Sequence, residues 1–160
     1  MSVTDVVGTA ANLATAAGII GVGWQLRQNW RQMVLDFERT FVDRYERIIR
    51  DVPLSLLLGD NLDPSRDPEA LRAFFDYFEL CEEELYYRHV GKISTSTWSD
   101  WWEGIALNLR RQAFRTAWDY LRERVNVAPG PEGQVRATQF ELLRQAIQAI
   151  DTGGGFDPHR

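Results

Sequence analysis

Two histidines, one cysteine and one dense acidic run are the residues of this 160-residue chain whose types suit metal or acid–base chemistry. A histidine pair at i,i+4, or a Glu-x-x-His step, would hold zinc or a di-iron centre, because side chains three or four apart leave a helix on one face. His89 and His159 stand in neither arrangement. His89, inside Tyr86-Tyr87-Arg88-His89, could carry a proton, but a surface or satisfied helix-end histidine is the stronger reading. The run Glu82-Glu83-Glu84, with Asp76 and Glu79, offers carboxylate oxygens to a divalent cation. Consecutive helical residues diverge by about 100°. Glu79 and Glu83 therefore share a face while Glu82 and Glu84 do not, and a solvated acidic face outweighs a metal site. Cys81, the single cysteine, can form neither an intramolecular disulfide nor a cysteine-rich zinc site; it suits a reducing compartment and reads as a small core residue. In Trp98-x-x-Trp101-Trp102 the rings could cage a ligand, although packing between helices is the stronger reading. There is no Gly-rich phosphate loop and no G-x-S-x-G turn. No catalytic residue, metal ligand or cofactor site is expected, and an enzyme is not.

The composition narrows the field further. With 44% hydrophobic and 26% charged residues the chain can build one core with an appendage. The net charge of -5 arises from interspersed acids and bases, so direct nucleic-acid binding is not expected.

The elements that must position these residues read as helices throughout. Between Asp5 and Arg27 lie 21 uncharged residues, which as a helix would reach about 30 Å, the thickness of a bilayer's hydrocarbon core. Nine of them are Gly or Ala. Trp24 suits a headgroup boundary, and Arg27 and Arg31 follow at once, so the sequence predicts a transmembrane helix over residues 1–26 in the bacterial inner membrane, with the C-terminal domain cytoplasmic. On one side of that helix fall Gly8, Asn12, Thr15, Ile19 and Gly23, expected to line a pore or to contact a neighbouring helix. Ala10, Ala14 and Gly18, with Ala17 and Gly21, repeat a spacing that favours helix contact. The competing reading is a soluble or peripheral interaction module whose Ala/Gly-rich helix is buried by a partner protein.

From Arg27 the pattern continues without Gly or Pro to Asp51, with Trp30, Val34, Phe37, Phe41, Tyr45 and Ile48 at three- and four-residue steps. Pro53 ends it. Asp67 and Pro68 mark the next start, followed by the stripe Leu71, Phe74, Phe75, Phe78, Cys81 and Leu85 up to Gly91. Thr95 to Thr97 offer caps to one or two helices, bent near Gly104, that run through Trp118 and Leu121. Pro129-Gly130-Pro131 breaks the chain, Gln134 to Ile150 resumes it, and the glycines from Gly153 predict a flexible tail over residues 152–160. The expected fold is all-α: one long N-terminal helix, then a small helical bundle over residues 27–151.

Gln25-Leu26-Arg27-Gln28-Asn29, Phe75-x-Tyr77-Phe78-Glu79, Trp101-Trp102 and Phe140-Glu141-x-Leu143 together resemble a family of small bacterial membrane proteins of unknown function. The resemblance implies one N-terminal membrane helix and a helical cytoplasmic domain. In organisation the chain is also similar to the pore-forming membrane accessory proteins of type VI CRISPR systems, which implies a role in antiphage defence. No Arg stands at R-x4-6-H distance before either histidine, so the ribonuclease once suspected in such proteins is not expected. The resulting expectation is a homo-oligomer in contact with membrane lipid, forming a pore that alters permeability, with an unidentified protein partner as a further option.

Overall fold

The computed structural model describes the backbone of residues 3–125 and 139–159, and the side chains of residues 24–29, 32–124 and 139–159. Every regular element among them is helical: α1 (Val3–Asp51), α2 (Leu54–Leu58), α3 (Pro68–His89), α4 (Thr95–Arg110), α5 (Gln112–Val125) and α6 (Glu141–Asp151). Contacts divide the chain into two units, residues 1–39 and residues 40–160. The first is the leading part of α1. The second holds the end of α1 and all the other helices.

Within the second unit α3 is the axis. Its buried residues recur at three- and four-residue steps from Ala70 through Phe74, Phe78, Cys81 and Leu85 to Arg88, the pattern of a helix covered on several sides. It packs against α5 and α6, and α4 packs against the same two helices. Aromatic rings fill the seams edge to face. Phe74 and Tyr77 meet Phe114 at 4.8 and 5.1 Å between centroids, Phe78 meets Trp118 at 5.4 Å, and Phe140 closes the chain against Trp118 and Phe75. Each such pair stabilises by about 0.5–1.5 kcal/mol beyond its burial.

The helix ends follow local chemistry, with two departures from the sequence reading. Pro68 occupies the first turn of α3 as expected, and Ser94, one residue before the predicted caps, accepts a hydrogen bond from the Thr97 amide at 3.2 Å. At Gly104, where a bend is predicted, α4 continues as helix. The break falls at Arg111, whose extended backbone (ψ 141°) separates α4 from α5. α6 begins on Phe140, a buried residue in the left-handed region (φ 68°), and α6 closes into Gly153, whose φ of 74° suits glycine.

Residues 153–159, predicted to be a flexible tail, lie along α3 and α4. The Trp98 indole donates to the Phe156 carbonyl at 3.1 Å, Arg88 grips Asp157, and the His89 and His159 rings meet the Pro158 and His89 carbonyls. Three glycines leave the backbone free, but an aromatic ring and a buried ion pair beyond them supply the anchors.

The membrane expectation is corrected. Among the described residues no helix is long and apolar enough to cross a membrane. From Arg27 onward α1 carries Arg27, Asp36, Glu38 and Arg39 within four turns, and the uncharged stretch before it is diluted by nine Gly and Ala residues. That finding overturns the single-span pore and the inner-membrane placement with a cytoplasmic C-terminal domain. Trp24 and Arg27, assigned to a headgroup boundary, are exposed side chains. Gly8, Asn12, Thr15, Ile19, Gly23 and Arg31 lie outside the residues whose side chains are described.

Candidate functional site

The acidic run on α3, read from sequence as one solvated face, is divided by the fold into separate tasks. Asp76 pairs with Arg72 one turn earlier at 3.0 Å. Glu82 reaches α6, where its two carboxylate oxygens accept from the Leu142 and Leu143 amides at 3.1 and 2.7 Å and so satisfy the open N-terminus of that helix. Glu83 takes Arg44 of α1 at 2.6 Å. Glu84 turns inward. It is 7% exposed and lines a cavity of about 190 Å³. Among the described residues no group of three His, Cys, Asp or Glu side chains could hold a metal ion.

Three helices supply the cavity wall. Tyr77 and Glu84 come from one face of α3, seven residues apart; Asp100, Trp101, Gly104 and Ile105 come from α4; Val42 and Tyr45 come from the end of α1. Tyr77, Glu84 and Ile105 are buried and form its floor, while Val42, Asp100 and Gly104 are exposed and form its rim. The space compares with the ~150 Å³ apolar cavity that admits benzene.

A polar network sets the aromatic walls. Asn108, buried on α4, donates one amide hydrogen to the Tyr77 hydroxyl at 3.2 Å and one to the Tyr45 hydroxyl at 3.3 Å. One turn on along α3, the buried Cys81 thiol neighbours Tyr77. Burial, followed by the neighbouring thiol, pushes the Tyr77 phenol well up, and burial with the nearby Glu84 carboxyl does the same to the Cys81 thiol. Cys81 therefore stays a thiol and is no nucleophile.

Glu84 is the exception in this network. Among the described residues nothing donates a hydrogen bond to its carboxyl. Burial pushes its pKa up to about 8; the Arg44 guanidinium opposes this and Glu83 adds to it. The group is therefore largely neutral at pH 7. The fully buried side-chain oxygen without a partner among the described residues is Glu38 Oε1, so the Glu84 carboxyl, on the wall of a largely apolar cavity, keeps a path to solvent and to whatever enters that cavity.

Gly104 points the same way. It lies mid-helix, where glycine costs about 1 kcal/mol against alanine. A Cβ there would meet no atom within 4 Å, so no neighbour requires the absence of a side chain. The glycine lies exposed on the cavity wall.

The aromatic trio of α4 is split by role. Trp98 stacks on Trp102 at 6.1 Å and holds the tail, which is packing, whereas Trp101 leans on Phe41 at 5.5 Å and walls the cavity. Sequence reasoning weighed these rings as a cage among themselves and did not join Trp101 to Glu84, Tyr45 or Gly104. The only local signal was a glycine inside a strong helical pattern. No protein-family model, curated protein or solved structure matches the chain.

Proposed function

We propose that this protein is a non-enzymatic helical interaction module that self-associates through its first unit, the leading part of α1. The observation that supports this reading is the apolar exposure of that unit. Trp24, Leu26, Met33 and Leu35 are each between 61% and 67% exposed. On a helical wheel Leu26 and Met33 share one face, and Trp24 and Leu35 share the opposite one. A helix apolar on opposite faces is one that is enclosed by other helices.

A second copy of this chain is the natural occupant. Leu26 and Met33 are seven residues apart, the repeat of a helix seam, and both are exposed. The Ala/Gly-rich residues ahead of them permit close backbone approach between helices.

Size-exclusion chromatography with light scattering, without detergent, tests the reading. A particle of at least twice the 18.4 kDa chain mass is expected, falling to one chain in the Leu26→Glu, Met33→Glu double variant. A monomeric wild-type chain, or a double variant of unchanged mass, overturns it.

A further inference from the structure

We infer that the cavity between the end of α1, α3 and α4 is a binding site for a small alkylammonium ion, held between the rings of Tyr45, Tyr77 and Trp101 and neutralised by Glu84. The inference does not depend on self-association, since every wall residue belongs to the second unit.

Four observations converge. Three of the eight lining residues, Tyr45, Tyr77 and Trp101, are aromatic, and such rings attract a cation through their quadrupole, most strongly where water is excluded. The single acid on the floor is buried and without a hydrogen-bond donor, so it can offer its whole charge to an entering cation. Asp100 stands at the rim, where a second carboxylate favours entry of a positive ion. Gly104 lies exposed on the cavity wall, at a position where the fold would accept a side chain.

Size and shape decide the kind of cation. A guanidinium or hydrated metal ion wants several oxygen acceptors arranged around it, and the floor has one carboxyl. The Tyr45 and Tyr77 hydroxyls are already engaged by Asn108. An ammonium clothed in methyl or methylene groups needs apolar contact on most sides and one counter-charge, which is what the cavity provides.

Binding must be linked to protons. The titratable groups around Glu84 are Arg44, Tyr77, Cys81 and Glu83, which act on it electrostatically or are acted on by it, and Tyr45 and Asp100, which line the same cavity. Arg44 is engaged by Glu83, which leaves Glu84 to respond to a ligand. Because the buried carboxyl is protonated on its own and ionised beside a cation, each ligand bound near neutral pH releases a proton. Affinity then rises with pH by up to about tenfold per unit and levels off above the carboxyl's pKa.

Isothermal titration of the full chain with choline and with tetramethylammonium tests the site, using neohexyl alcohol, the uncharged carbon isostere of choline, as control. Saturable binding of both cations is expected, with the isostere weaker by roughly tenfold or more. Glu84→Gln should weaken choline binding by at least about tenfold above pH 8 and abolish the proton release. Gly104→Leu, which fills the mouth from an open position, should abolish binding while melting no lower than wild type. Absence of cation binding, equal binding of the isostere, or unchanged affinity in both variants would each overturn the assignment.

Discussion

Two ionisable side chains are buried one turn apart on α3, and the fold treats them in opposite ways. Arg88, 4% exposed, donates to both oxygens of Asp157 at 2.8 and 2.7 Å, to the Ile93 carbonyl at 2.8 Å and to the Thr95 hydroxyl at 3.4 Å. Glu84, 7% exposed, has no donor among the described residues and faces an open space. A buried charge with a full set of partners ties elements together, here α3 to the start of α4 and the tail. A buried acid without partners weakens the fold unless it stays neutral, and such groups concentrate where a ligand completes them.

The largest effect tests the satisfied member of that pair. Asp157→Ala leaves Arg88 buried without its counter-charge and should cost about 3–5 kcal/mol in urea unfolding. Combining it with Arg88→Met should restore part of the loss, because no orphan charge remains. Equal stability of Asp157→Ala and wild type would remove the distinction between the two sites.

Next in size is the pH dependence of the unsatisfied member. The folded pKa of Glu84, about 8, lies above its ordinary value of 4.5. The fold therefore favours the protonated acid: its stabilising influence is complete below about pH 4.5 and is lost as the pH climbs to about 8. Glu84→Gln, which cannot ionise, should erase this slope and exceed wild type by several kcal/mol at alkaline pH. Parallel profiles for the two proteins, measured by urea titration across that window, would show that Glu84 is not held neutral.

Smaller effects sharpen the contrast. Glu82→Gln keeps the size of the capping side chain but removes its charge and one of the two acceptor oxygens, and should cost about 1 kcal/mol in the same assay. Gly104→Ala should raise stability by up to about 1 kcal/mol, since it removes a helix penalty without meeting a neighbour. A loss of stability there would mean that the glycine serves packing.

How much of this was legible follows the range of the forces involved. The stripes through Phe74, Phe78 and Phe114 announced helices because their period is local, and Pro68 marked a helix start for the same reason. Glu84 could not be told from Glu82 or Glu83, because which acid is buried depends on what α1 and α4 place opposite α3. The partner of Arg88 lies 69 residues away, beyond three glycines that locally suggest a loose end. Gly104 was noticed but read as a bend; its space becomes meaningful only beside Tyr45 and Trp101. The uncharged N-terminal stretch was read through its length, and its many small residues proved the better guide.

The start of α6 has a dynamic consequence. Eleven residues are too few for a stable isolated helix, for which about 12–15 are needed, and Phe140 enters in a backbone conformation that its own side chain disfavours. The helix borrows its first hydrogen-bond acceptors from Glu82 and its wedge from the rings of Phe75 and Trp118. It therefore winds only upon contact with α3. Amide exchange at Leu142 and Leu143 then reports undocking of α6 as a cooperative piece, ahead of global unfolding.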